Sequence, residues 1–306
     1  MRWLAALLLV LLSACTTPQA SQADAGRFVE IERMAAEGLP DQRVTIWLPP
    51  GYDTASRRYG VLYMHDGQNL FDPANAHYGK IWQADRVMRD LVAAGTIDPV
   101  IIVGIWSPGA DRYRQYLPQK PAQALQGVLK DDLDGDLSRS GPILSDHYLD
   151  WIVTYLKPRI DRDYRTRTGR ADTTMIGASM GGIMSCYAIV ERPDIFGRAG
   201  CVSSHWPLVD PDLAKASKAE VDRVWRDYLM GKLGAPTGRR IWMDHGTATL
   251  DGYYPPFQQS ISEMFRDAGW QEGRDFAARE YTGAEHDEVA WNARLPEMLV
   301  WLLSER

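Results

Sequence analysis

The chain has 306 residues, 45% hydrophobic and 24% charged, which excludes disorder, collagen and coiled coil as its organisation. Its 34 Lys and Arg against 40 Asp and Glu give a net charge of −6. That balance argues against nucleic acid as a partner, because phosphate binding wants a basic face. Three Cys and six His leave little material for a zinc ribbon or a disulfide scaffold.

Met1-Arg2 makes a short positive start, and residues 4–12 are all Leu, Ala and Val. Nine residues of helix reach about 14 Å, less than half a bilayer core. The run therefore reads as the apolar region of a signal peptide rather than a membrane span. Leu12-Ser13-Ala14-Cys15 resembles a bacterial lipobox, in which the Cys is lipidated and becomes the mature N-terminus. The expected organisation is a lipoprotein signal peptide over 1–14, a small and polar flexible tether over 15–26, and a single domain over 27–306. The lipid on Cys15 would be the only link to a membrane. Thr16, rather than Asp, follows the Cys; by resemblance to sorted lipoproteins this implies the periplasmic side of the outer membrane.

Strands are expected at 44–48, 60–65, 100–106, 173–176, 240–243 and 276–281. Several are apolar on both faces, as strands buried inside a parallel sheet are. Helical patterns lie between them at 82–93, 147–160, 180–191, 258–268 and 288–303. The alternation predicts an α/β fold with a mostly parallel sheet. Cys186 and Cys201 are read as buried and reduced, one on a helix and one on a strand. The stretch 107–145 breaks the rhythm with several Pro and Gly and the acidic run 131–136. A loop of that length is read as a lid or binding wall, and the acidic run as a solvated turn, since it lacks the spacing and closing Glu of a calcium loop.

Gly177-Ala178-Ser179-Met180-Gly181-Gly182 follows one of these strands and opens a helix. Strand, sharp turn and helix are the setting of a nucleophile elbow, and Ser179 is its candidate nucleophile. A serine needs a general base within reach, and His is the natural one. In this fold class the order is Ser, acid, His. His286, in a Gly-containing turn between the last strand and last helix, is the candidate base. His205, after the strand that follows the elbow, is expected to line the pocket. The acid should follow the strand at 240–243, where Asp244 and Asp251 both stand. Asp251 is preferred because it lies deeper in the loop and must reach across to the His. Asp287 reads as surface charge. For the oxyanion hole, the candidate backbone donors are Met180, after the nucleophile, and Gln68, in the loop His65-Asp66-Gly67-Gln68-Asn69. Gly67 is expected to permit the turn there, and His65 and Asp66 to brace the loop.

With these residues assembled, the chain resembles an esterase family of α/β-hydrolases that includes enterochelin esterases, S-formylglutathione hydrolases, feruloyl and acetylxylan esterases and mycobacterial mycolyltransferases. The resemblance runs over residues 40–304 and rests on six stretches: His65-Asp66-Gly67-Gln68-Asn69-Leu70-Phe71, Tyr155-Leu156-Lys157-Pro158-Arg159-Ile160-Asp161, Gly177-Ala178-Ser179-Met180-Gly181-Gly182, Arg192-Pro193-Asp194-Ile195-Phe196-Gly197, Asp244-His245-Gly246-Thr247, and His286 with Trp291-Asn292-Ala293-Arg294-Leu295-Pro296. It implies an α/β-hydrolase fold, a central mostly parallel sheet flanked by helices. It also implies acyl-ester hydrolysis without metal or organic cofactor. In that family the acid often follows Gly-Thr by two residues; here that position is Thr249, which keeps Asp244 and Asp251 both in play. The expected substrate is a small-molecule or glycan ester, an acyl ester of a bulky polar molecule. Trp82, Trp106, Trp206 and Trp291 are candidates to stack on it or to be core. Acyl transfer to a sugar hydroxyl by the same serine, and a non-catalytic binding lipoprotein, are the competing readings.

Overall fold

The computed structural model describes residues 25–129 and 141–304. The expected signal peptide, Cys15, all but the last two residues of the tether, and the acidic run 131–136 lie outside the described residues.

The strands are β1 (Arg27–Met34), β2 (Gln42–Leu48), β3 (Gly60–His65), β4 (Val100–Ile105), β5 (Thr173–Ala178), β6 (Arg198–Val202), β7 (Arg240–Gly246) and β8 (Phe276–Tyr281). They form one sheet in the order β1-β2-β4-β3-β5-β6-β7-β8. β1 and β2 run antiparallel, and everything from β4 to β8 pairs in parallel. The helices are α1 (Ala84–Ala93), α2 (Arg112–Tyr116), α3 (Gln119–Val128), α4 (Ser145–Trp151), α5 (Lys157–Asp163), α6 (Met180–Glu191), α7 (Pro211–Ala216), α8 (Lys218–Lys232), α9 (Pro255–Asp267) and α10 (Glu288–Leu303). A π-helical segment, Ile152–Leu156, joins α4 to α5.

Every position of β3, β4 and β5 is buried, because helices cover both faces of the sheet. The period of two sorts the side chains. Val61 and Tyr63 join a core with Ile152, Ile160, Ile183 and Trp225, under α4 to α6 and α8. Leu62 and Met64 join the opposite core with Met88 of α1 and Leu295 and Leu299 of α10. All of α6 except Glu191 is buried, so this helix is apolar all round. No described helix is long and apolar enough to cross a membrane. Cys186 on α6 and Cys201 on β6 are both buried and form no disulfide.

Neither β1 nor the helices α7 and α8 were expected from the sequence. β1 is an edge strand whose exposed side carries Glu30 and Glu32, so its apolar alternation is faint. α8 buries Val221, Val224, Trp225 and Leu229, a helical spacing that the sequence does contain. Within 107–145, α2 and α3 form short helices, and Arg112 at the start of α2 reaches the cavity described next.

Candidate active site

β5 runs into α6 through Ser179, whose φ of 59° and ψ of −122° lie where L-residues are strained. The turn closes only with glycine beside it: a Cβ on Gly177 would stand 2.6 Å from the Gly181 backbone. The Ser179 amide donates to the Val202 carbonyl at 2.9 Å, and the Ser179 carbonyl accepts from Gly182 and Ile183 at 3.0 and 3.1 Å. The strained residue is thus pinned from both sides at the positive end of a helix.

A cavity of about 580 Å³ lies over this turn, and Ser179, Gln68, His286, Trp82 and Trp291 line it together. His286 comes from the turn between β8 and α10. Its amide donates to Thr249 Oγ1 at 2.9 Å, and the amides of Thr247 and Ala248 donate to the Ala284 carbonyl, tying the loops after β7 and β8 together. His286 Nδ1 lies 2.6 Å from Asp251 Oδ1. An ionised carboxylate only accepts, so Nδ1 carries the proton and Nε2 keeps its lone pair.

Asp251 is fully buried. Burial works against its charge, but His286, the Ser203 hydroxyl and the Gly246 amide more than offset this and hold its carboxyl below the usual carboxylate range. Ser203 Oγ donates to Asp251 Oδ2 at 2.6 Å, and the Gly246 amide does so at 2.5 Å. Asp244 is bonded elsewhere, accepting from Trp242 Nε1 at 2.7 Å and pairing with Arg294 at 3.3 Å. Of the two acids left open by the sequence, Asp251 is the one on His286.

The loop after β3 differs in detail from expectation. The positive φ falls on Asp66, at 55°, and Gly67 is needed for close approach: a Cβ there would lie 2.7 Å from the Gly104 backbone of β4. Asp66 accepts two bonds from Arg112, at 2.7 and 2.8 Å, and Gln68 exchanges two with Ser107, at 2.8 and 3.1 Å. These latches fix the Gln68 backbone. Met180 opens α6, so its N–H is one of the amides a helix leaves without an internal partner.

Asp287 is more than surface charge. It caps α10 by accepting from the Ala290 amide at 2.9 Å and pairs with Lys80 at 2.7 Å. Trp82 and Trp291 pack with ring centroids 5.6 Å apart at the cavity. Trp106 is held by Arg43 and Thr45, and Trp206 is core, bonded to Gln258.

Sequence reasoning missed Ser203, Arg294 and Tyr254. Arg294 Nη2 and Trp291 Nε1 both donate to Ser203 Oγ, whose own hydroxyl donates to Asp251 Oδ2. The cue for Arg294 was a lone Arg, 4% exposed, on a helix face that is otherwise apolar. The Tyr254 hydroxyl touches the Ser179 side chain and lies 2.9 Å from His205 Nδ1. His205 is buried and is not among the residues lining the cavity; its Nε2 lies 3.0 Å from the Val209 carbonyl.

Burial pushes both His65 and His205 down to about 4. In the unfolded chain they titrate near 6.5, so that state binds more protons between pH 6.5 and 4. Stability contributed by the neutral rings is therefore lost as pH falls through this window, by about 2–3 kcal/mol each. Urea unfolding at pH 7 and pH 4.5 measures it, and an unchanged free energy would show that the rings ionise in the fold. Asp66 and Asp251, held low, act in a separate window below 3.8.

The sequence pattern of the family described as "Putative esterase" matches residues 40–302. The chain belongs to this esterase family. The matched range contains Gln68, Ser179, Asp251 and His286, and leaves out β1. Among curated relatives, the chain is 31% identical over 167 residues to "Uncharacterized protein YbbA" of Bacillus subtilis, covering 54% of this chain and 58% of that protein. It is 28% identical over 156 residues to "Ferri-bacillibactin esterase BesA" of the same species, covering 48% and 49%. The chain thus spans about half the length of these two curated relatives. A solved ferulic acid esterase superposes with a TM-score of 0.64 at 19% identity, over 91% of this chain and 98% of that one. At that identity the likeness supports the fold, an α/β-hydrolase sheet with helices on both faces.

Proposed function

We propose that the chain is a serine carboxylic-ester hydrolase with Ser179 as nucleophile, His286 as general base and Asp251 as the triad acid. The observation that carries this reading is a strained Ser179 sharing one cavity with a His286–Asp251 pair. His286 Nε2 takes the Ser179 proton as Oγ attacks the ester carbonyl. The charge that develops on the carbonyl oxygen is met by the backbone N–H groups of Met180 and Gln68. Asp251 keeps the imidazole in the required tautomer and stabilises its charged form. His286 then protonates the leaving alcohol, and water repeats the sequence on the acyl-enzyme. The cavity volume and the paired Trp82 and Trp291 support an acyl ester of a bulky, ring-bearing polar molecule. Two of the relatives are named for ferulic acid and ferri-bacillibactin, which suits that class.

A nitrophenyl phosphonate ester tests the nucleophile directly. The expected result is release of one nitrophenolate per chain, complete loss of ester turnover, and added mass on the peptide that holds Ser179. Label on another residue, or turnover that survives labelling, overturns the reading.

A further inference from the structure

The two ends of the sheet differ in charge. β3 to β8 run in parallel, and the cavity lies over their C-terminal ends, where Asp66, Asp287 and Glu288 line it. The opposite end, where these strands start, is rich in arginine. Two segments supply it: Arg57-Arg58 before β3, and residues 159–170 before β5, which hold five arginines in twelve positions. Backbone bonds zip the two together. The Tyr59 amide donates to the Arg165 carbonyl at 2.9 Å, and the Arg167 amide donates to the Tyr59 carbonyl at 2.7 Å.

The carboxylates around these segments are already taken. Asp53 pairs with Arg27, Asp161 with Lys157, Asp163 with Arg159 and Arg162, and Asp172 with Arg167. Arg57, Arg58, Arg165 and Arg170 make no ion pair within 4 Å among the described residues. Three of them are held by backbone carbonyls instead: Arg58 by Thr166 at 3.1 Å, Arg165 by Tyr52, and Arg170 by Pro193 and Thr237. A carbonyl positions a guanidinium without neutralising it, and arginine does not give up its proton. Asp98, exposed on the adjoining cleft, is the carboxylate left to set against these four. This end is therefore net positive in a chain whose total is −6, and the negative excess falls elsewhere, the cavity end included.

The chain also enters the fold here. β1 and β2 are antiparallel, and Arg27 pairs with Leu48, which places residues 25–27 beside the strand starts. Trp47 Nε1 holds the Ala25 carbonyl at 3.1 Å. Ten residues separate Cys15 from Ala25, at most about 35 Å of extended chain. The expected lipid on Cys15 would thus bring this end, rather than the cavity, to a bilayer.

We propose that the arginine-rich end docks on anionic phospholipid headgroups and that the cavity faces away from the bilayer. Unneutralised arginines near such a surface each strengthen binding, while the acidic end is repelled, so both effects orient the molecule the same way. The proposal stands apart from the ester-hydrolase reading.

The test is co-sedimentation of the full chain, carrying Cys15→Ser so that no lipid is attached, with vesicles. Pure phosphatidylcholine is compared with phosphatidylcholine holding about 30% phosphatidylglycerol. Binding to the anionic vesicles is expected to be at least about thirtyfold tighter at about 0.1 M salt, and to be lost at about 1 M, where the screening length falls to about 3 Å. Arg57→Gln with Arg58→Gln should weaken it about thirtyfold. Arg33→Gln with Arg43→Gln removes the same charge at the other end of β1 and β2, and should change it less than about twofold. Thermal melts check the fold of each. Arg57→Gln alone breaks no hydrogen bond among the described residues and should still cost about fivefold, so the test holds even if the double variant unfolds. Equal binding to both vesicles overturns the proposal, and so does an equal loss in the two double variants. Binding to a soluble DNA duplex with none to the vesicles also overturns it, and would make this end a site for a polyanion rather than a membrane.

Discussion

Ser179→Ala is expected to lower turnover of nitrophenyl acetate by about 10⁴- to 10⁶-fold, the range seen when a triad serine is removed elsewhere. The substitution removes one oxygen and keeps the Cβ. The backbone at φ 59° is pinned by bonds to Val202, Gly182 and Ile183 that do not involve the hydroxyl, so the turn should survive. The contact from the Ser179 side chain to Tyr254 is lost. Melting temperature should stay within a few degrees, and KM should move far less than kcat. Residual rate over water should remain, because the Met180 and Gln68 amides and the cavity walls are untouched. A variant that keeps near-wild-type kcat would remove Ser179 from the mechanism. A variant that loses activity and melts much earlier would show that the hydroxyl is structural.

Ser179 and His286 were legible in the sequence as candidates because each stands where a local geometric rule applies. The elbow needs glycine where the strand and helix backbones touch, and that requirement writes itself as a fixed spacing around one serine. The base must follow the last strand, and His286 is the His between β8 and α10. The acid was ambiguous because the apolar run ends at Met243 and leaves Asp244 and Asp251 both after it, although Asp244 lies within β7. A short 3-10 turn, Thr249–Tyr253, brings Asp251 rather than Asp244 against His286. Thr249, which stands where the family often places its acid, accepts the His286 amide instead and helps position the base. The partners that shape the cavity were not legible. Arg112 and Asp66 are 46 residues apart, and Asn69 and Glu288 are 219 apart, so no local pattern links them. β1 was hidden by its own charges, since an edge strand with one solvated face loses the strong apolar signal of β3 and β4.

Asp251→Asn and Asp244→Asn should fail in different ways. At Asp251, an amide NH₂ facing His286 Nδ1 favours the tautomer with the proton on Nε2, so no base faces Ser179. The expected loss is about 10⁴-fold in kcat, the effect of the same change in another Ser-His-Asp enzyme. Ser203 and the Gly246 amide can still donate to the Asn oxygen, so the fold should hold. Asp244 is the buried counterion of Arg294, whose side chain is only 3% exposed. Neutralising it leaves a buried guanidinium with Asp251, 3.7 Å away, as the remaining carboxylate. Breaking a buried pair in this way costs about 3–5 kcal/mol. The expected result is a clear drop in melting temperature, with kcat lowered far less than by Asp251→Asn at temperatures where the variant is folded. The comparison is made by measuring kcat at 20 °C beside a thermal melt for each protein. If Asp244→Asn costs more kcat than Asp251→Asn while folded, the triad acid is Asp244, and the 2.6 Å bond from Asp251 to His286 is a structural brace.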